Sequence, residues 1–219
     1  MLTGVGLHNR LKKLLLVILT ITVGAFVSTF FAYSSNININ NHIPFTSQAP
    51  LYEWSDPRQQ DACEEASVLM SISWIYNIPS YSKEMWRDRI TDLADFQLNK
   101  YGEYRDTSLD DITLWMYEDY FKYNNANIID IKSPLEMIKE LEKGNILIIP
   151  ANGQALNNPN FSGEGPERHM ILVKGYDYEK EEFITNDPGT RNGKDYRYDK
   201  NLLFKAIRSY KTGYHVPFD

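Results

Sequence analysis

The chain has 219 residues, of which 42% are hydrophobic, and a formal net charge of −6. This composition is typical of a globular protein and excludes a disordered chain, and the acidic balance predicts no nucleic-acid partner. A single cysteine, Cys63, excludes an intrachain disulfide and a zinc site built from several cysteines.

The N-terminal part of the sequence predicts a membrane anchor. Residues 14–33 contain no charged side chain and are long enough to cross a bilayer. Basic side chains precede them, so residues 1–13 are expected in the cytoplasm and the rest of the chain outside it, in a single-pass protein of the cell membrane. A cleaved signal peptide, which would give a secreted protein, is the alternative. Its apolar core usually has only about 7–15 residues, and residues 30–32 make a poor cleavage site.

A polar linker and one domain are predicted after this segment. The linker, residues 34–42, is rich in asparagine and has no acidic or basic run. The domain, residues 43–219, is long enough for one hydrophobic core and contains no internal repeat.

Cys63 begins the first predicted helix of this domain. Asp61 and Glu64 have the spacing of a capping box, which predicts a helix from Cys63 to about Asn77 with the thiol in its first turn. The N–H groups and the positive dipole end of that turn favour a thiolate, as in nucleophilic cysteines. Glu64 and Glu65 raise the thiol pKa instead, unless they cap these N–H groups or point to solvent. A buried cysteine that only packs is the other interpretation.

Further helices and then three strands are predicted along the chain. Ser108 and Asp111 form a second capping box, and a third helix begins after Ser133 and ends at Gly144. The long loop of residues 152–168 either borders a substrate cleft or is mobile surface. Strands rich in β-branched and aromatic residues are predicted at residues 145–151, 170–176 and 182–186. Helices followed by an antiparallel sheet make an α+β domain.

The last two strands are predicted to form a hairpin centred near residue 178 or 179. With that centre, His169 and Asp187 face each other across the pair. Directly opposed Cβ atoms lie about 4.5–5.5 Å apart, which allows a hydrogen bond between the imidazole and the carboxylate. A cysteine peptidase requires this geometry of its base and of the group that orients the base. Alternatively, Asp187 belongs to an ordinary Asn-Asp-Pro-Gly turn.

Four blocks of the sequence resemble the papain-like cysteine peptidases of the bacteriocin-processing, double-glycine leader peptidase-like group. The blocks are PFTSQAP at residues 44–50, CEEAS at residues 63–67 with Met70, HMILVKGYD at residues 169–177 and NDPG at residues 186–189. The resemblance extends from about residue 43 to the C-terminus. It implies a papain-like fold in which an N-terminal helical part with the nucleophile helix packs on a C-terminal antiparallel sheet, here preceded by one transmembrane helix.

The resemblance also implies roles for particular residues. Cys63 is then the nucleophile, His169 the general base and Asp187 the residue that orients the base. In such enzymes a glutamine ahead of the nucleophile helps to form the oxyanion hole. Gln48 matches the block best but lies fifteen residues before Cys63, so Gln60 is the alternative.

The sequence thus predicts a membrane-anchored, extracytoplasmic cysteine peptidase or amidase that hydrolyses a peptide or amide bond through a thioester. No metal and no cofactor is needed for this reaction. An acyl or amide transferase with the same triad is one alternative. A catalytically silent, surface-tethered binding domain on the same scaffold is the other.

Overall fold

The computed structural model describes residues 38–209 of the chain. Within these residues, no helix combines the length and the apolar character needed to cross a membrane. The predicted cytoplasmic segment and anchor, residues 1–33, lie outside the described part, as do residues 34–37 of the predicted linker.

Helices precede four of the five strands of an antiparallel sheet, as expected for an α+β fold. The helices before these four strands are α1 (Pro57–Gln60), α2 (Cys63–Ile75), α3 (Lys83–Tyr101), α4 (Leu109–Asp111), which continues as a π-helical segment (Ile112–Tyr120), and α5 (Pro134–Glu142). The strands are β1 (Ile39–Asn40), β2 (Leu147–Ala151), β3 (His169–Asp177), β4 (Glu182–Asn186) and β5 (Tyr196–Asp199). A short 3-10 helix (Gln154–Leu156) follows β2, and α6 (Lys200–Ala206) follows β5.

Serine side chains cap α3, α4 and α5. The Oγ of Ser108 accepts a hydrogen bond from the N–H of Asp111, and the Oγ of Ser133 accepts one from the N–H of Glu136. Both contacts agree with the predicted helix starts. The sequence analysis missed α3, the longest helix of the described residues, although Ser82 caps its first turn in the same way.

Helix α2 lies in the centre of the fold. It begins at Cys63, as predicted, but its N-cap residue is Ala62 and no side chain caps it. Asp61 instead ends α1, so the predicted capping box between Asp61 and Glu64 is wrong. Every residue from Cys63 to Ser73 is buried, because α2 packs against β3, α3 and the π-helical segment.

Strand β3 is central in the sheet and sets its register. It pairs with β4 along one edge and with β2 and β1 along the other. A bulge at Lys174 shifts the register by one residue, and beyond it Leu172 faces Asn186. His169 and Asp187 are therefore not directly opposed, and the predicted register is wrong because the hairpin turn is centred later than expected.

Apolar side chains cover both faces of the sheet. Met170 and Leu172 of β3 belong to the core shared with α2 and α3, whereas Ile171 and Val173 belong to the core shared with α5 and α6. This alternation follows from the period of two in a strand. The N-terminal end of α2 thus meets the first residues of β3, which positions the candidate site.

Candidate active site

The thiol of Cys63 lies beside the start of β3. Cys63 is the first residue of α2, and 8% of its surface is exposed. The backbone of Met170, the residue after His169, lowers the pKa of this thiol. Oε2 of Glu64 lies 3.0 Å from the same sulfur. Glu64 and the backbone of Met170 therefore have opposite effects on the thiol pKa.

The surroundings of Cys63 favour the protonated thiol. Burial raises its pKa well above the usual value, Glu64 raises the pKa further, and the backbone of Met170 opposes them. The side chains of Glu64 and Glu65 do not point to solvent, since they are 1% and 0% exposed. Burial and these two carboxyl groups keep the thiol pKa raised, so the thiol requires a base to become a nucleophile.

His169 and Asp187 form a buried pair. Nε2 of His169 lies 2.7 Å from Oδ1 of Asp187, and the two side chains are 1% and 0% exposed. Asp187 reaches the imidazole from the turn that follows β4 instead of from a directly opposed strand position. The contact leaves Nδ1 of His169 as the ring nitrogen that can exchange a proton with a thiol.

Three further donors hold the carboxylate of Asp187. Oδ2 accepts hydrogen bonds from Tyr198 OH at 2.6 Å and from Asn158 Nδ2 at 3.2 Å, and Oδ1 accepts one from Gly189 N at 3.0 Å. Burial raises the pKa of Asp187, but His169 and these donors outweigh it and leave the pKa lower than usual. The ionised carboxylate can therefore support an imidazolium. The sequence analysis missed Asn158 and Tyr198, and only Asn158 lay in a loop that it had singled out.

A cavity of about 690 Å³ opens onto Cys63 and His169. The loop of residues 152–168 contributes several lining residues, so it borders the cavity, which is one of the two possibilities left open by the sequence. Phe161 packs edge-on against the imidazole, with ring centroids 5.3 Å apart. A Cβ at Gly189 would come within 2.8 Å of Cε1 of His169. These close contacts restrict the orientation of the imidazole ring.

Both candidate oxyanion glutamines line the cavity, but their amides are bonded to the main chain. Nε2 of Gln48 donates to the carbonyl oxygens of Gln59 and Gln60, and Nε2 of Gln60 donates to that of Trp54. An amide has two N–H donors, so Gln48 must exchange one bond before it can donate to an oxyanion. The backbone N–H of Cys63 has no acceptor within its helix and is a further candidate donor.

Comparisons with known proteins agree with this architecture. The model of the Peptidase_C39 like family matches residues 41–215, which confirms the resemblance found in the sequence blocks. A crystal structure from Bacillus anthracis, described as a C39-like peptidase, is similar with a TM-score of 0.51 and 17% identity, over 78% of this chain and 92% of that chain. No curated protein matches the sequence. At this identity the structural similarity shows the fold alone, whereas the family match spans most of the sequence. The chain belongs to the Peptidase_C39 like family.

Proposed function

We propose that the protein is a cysteine peptidase or amidase that uses Cys63, His169 and Asp187 to hydrolyse a peptide or amide bond. One observation carries the proposal: a first-turn thiol borders the same cavity as an imidazole that is paired with a buried carboxylate. Membership of the Peptidase_C39 like family supports the same class of reaction.

In the first half of the proposed reaction, His169 Nδ1 takes the proton from the thiol, and the thiolate of Cys63 attacks the substrate carbonyl carbon. The oxyanion accepts hydrogen bonds from the backbone N–H of Cys63 and from the amide of Gln48, once that amide has released the carbonyl of Gln60. Asp187 orients the imidazole and stabilises its charge. The imidazolium then protonates the leaving amine, and a thioester remains on the sulfur.

In the second half, His169 takes a proton from water, and the resulting hydroxide attacks the thioester carbon. The same donors stabilise the second oxyanion. Its collapse breaks the carbon–sulfur bond, releases a carboxylic acid and returns the proton from His169 to the thiolate. An amine that attacked in place of water would give amide transfer instead.

A catalytically silent binding domain is a second candidate, and two observations favour it. The pKa of Cys63 is raised, which favours the protonated thiol, and the amide of Gln48 already donates to two main-chain carbonyls. The two candidates differ in whether His169 can ionise the thiol.

Thiol labelling of the full-length protein in detergent separates these two functions. We expect iodoacetamide at about pH 6 to alkylate Cys63 at least about tenfold faster than a free cysteine, of which less than about 1% is ionised at that pH. The His169→Ala protein should lose this advantage, and mass spectrometry identifies the modified residue. Equal rates for Cys63 and for free cysteine would reject the enzyme and favour the binding domain. Peptides incubated with and without a primary amine then distinguish hydrolysis from transfer.

We also propose that residues 14–33 anchor the protein in the cell membrane and that the domain of residues 43–219 lies outside the cytoplasm. The uncharged stretch and the basic residues before it support this topology. Protease added to intact spheroplasts is expected to digest the domain, while the undigested protein sediments with membranes. Complete protection would contradict the orientation, and a soluble form beginning near Tyr33 would contradict the anchor.

A further inference from the structure

Glu64 contacts the reacting sulfur, and the reaction described above does not use it. Its Oε2 lies 3.0 Å from Sγ of Cys63, and the side chain is only 1% exposed although it lines the cavity. A role for this carboxyl group rests on the proposed function, because it concerns how the thiolate forms.

Burial, and to a smaller extent nearby carboxyl groups, disfavour the ionisation of Glu64. Burial raises the pKa of Glu64 to about 8, the hydrogen bond from Cys63 lowers it, and Asp106 and Asp61 raise it. Arg168 lies nearby but forms an ion pair with Asp106 at 3.3 Å. The other titratable groups that line the cavity are Tyr52, His169 and Arg191, and Glu65 follows Glu64 on α2.

The protonation state of Glu64 decides whether it opposes or favours a thiolate. Two negative charges about 3 Å apart in a buried site repel each other strongly. A carboxylic acid has one O–H donor, and a hydrogen bond to an ionised acceptor is stronger than one between neutral groups. The terminal torsion of a glutamate is broad and two-fold, so this O–H can turn towards the sulfur without movement of the helix.

We propose that Glu64 is a further catalytic residue, which remains a neutral carboxylic acid in the active protein and donates its O–H to the Cys63 thiolate. The thiol proton goes to Nδ1 of His169, the electron pair stays on sulfur, and Glu64 keeps its own proton throughout. When Glu64 ionises at alkaline pH, its charge faces the sulfur and the thiolate becomes less favourable. The ionisation of Glu64 then causes a loss of thiol reactivity at alkaline pH.

The Glu64→Ala and Glu64→Gln proteins test this role through the rate at which iodoacetamide alkylates Cys63. At about pH 6.5 we expect Glu64→Ala to react about tenfold more slowly than the wild type, since one unit of thiol pKa is a factor of ten. Glu64→Gln retains an N–H donor and should recover most of this loss. Above about pH 8 it should react about tenfold faster than the wild type, because it carries no charge beside the sulfur.

Glu65→Gln is the matched control. Glu65 is the next carboxyl group of the same turn, but it accepts a hydrogen bond from Gln97 Nε2 at 2.6 Å and is not among the residues lining the cavity. This variant should shift the alkaline profile much less than Glu64→Gln does, because Glu65 acts on the thiol pKa through its charge alone, whereas Glu64 also lies within hydrogen-bond distance of the sulfur. Equal slowing of alkylation by Glu64→Gln and Glu64→Ala would mean that Glu64 accepts the thiol proton. Unchanged pH profiles in both variants would mean that Glu64 has no effect on the thiol. Either result overturns the proposal, whereas a wild-type Cys63 no more reactive than free cysteine overturns the proposed function itself.

Thermal unfolding gives a readout that does not depend on reactivity. Below about pH 4.3 Glu64 is protonated in both the folded and the unfolded protein. Between that pH and its folded pKa of about 8, it is ionised only in the unfolded protein, so it destabilises the fold increasingly as the pH rises. Glu64→Gln should therefore melt near the wild type at about pH 4.5 and above it at about pH 8. A difference that stays constant over this range would mean that folded Glu64 is already ionised at neutral pH, which contradicts the proposal.

Discussion

Hydrolysis by the Cys63→Ala protein is expected to fall at least about ten-thousandfold, because a methyl group cannot attack a carbonyl carbon. The chain contains no second cysteine that could replace it. The variant should remain folded, since removal of one sulfur atom at a helix start costs about 1 kcal/mol and lowers the melting temperature by roughly 2–4 °C. Turnover of a cleaved peptide and a thermal melt measure the two effects.

Ser67→Ala is the control for this variant. Ser67 is one turn further along α2, is buried, and its Oγ donates to the carbonyl of Met170 at 3.5 Å. Its replacement disturbs the same contact between α2 and β3 without entering the cavity lining, so activity should change only a few-fold. Hydrolysis that survives in a folded Cys63→Ala protein would show that another group is the nucleophile.

The Asp187→Asn protein is expected to lose about a hundredfold to ten-thousandfold in kcat with little change in KM. Asparagine keeps the shape of the side chain but removes the charge that stabilises the imidazolium of His169. Asp187→Ala should lose as much activity and also several kcal/mol of stability, because the buried donors of Asn158 and Tyr198 would lose their acceptor. A folded Asp187→Ala protein with full activity would exclude Asp187 from the triad.

Tyr198→Phe separates the support of Asp187 from its action on His169. The variant removes one donor to Oδ2 and leaves the 2.7 Å contact of Oδ1 with the imidazole in place. We expect a few-fold loss of activity and about 1–2 kcal/mol of stability. A loss as large as that of Asp187→Asn would mean that the phenol, and not the carboxylate charge, controls the imidazole.

The lowered pKa of Asp187 also predicts how stability depends on pH. Its ionised form stabilises the fold above the unfolded pKa of about 3.9, and this contribution disappears as the pH falls through the lower folded pKa. The Asp187→Asn protein should therefore lose less stability than the wild type between about pH 4 and pH 2. Denaturant melts at several pH values measure this difference.

Local signals in the sequence were sufficient for several elements. The helix starts at Ser108 and Ser133 follow from hydrogen bonds between residues three apart, which no distant part of the chain needs to supply. The predicted start of α2 at Cys63 was correct although the predicted cap was wrong, because the buried residues that follow Cys63 form the helix without a side-chain cap. Helix α3 was missed, yet its cap at Ser82 and the buried residues Trp86, Ile90, Leu93 and Ala94 have the spacing that identifies a helix.

By itself, the sequence determined the class of the fold, the first-turn position of Cys63 and the candidate partners His169 and Asp187. Only the tertiary structure decided how these groups are held. The register of β3 and β4 depends on a bulge at Lys174, whose ammonium group is buried and donates to the carbonyl of Asn41 at 2.9 Å.

The electrostatics of the site were also decided by tertiary packing. Glu64 is buried against the sulfur, the amide of Gln48 is occupied, and Tyr198 of β5 holds Asp187. Each of these contacts either removes a polar group from water or joins residues distant in the chain. The free energy of a buried polar group depends on the packing of all its neighbours in space. The spacing of residues along the sequence therefore does not predict it.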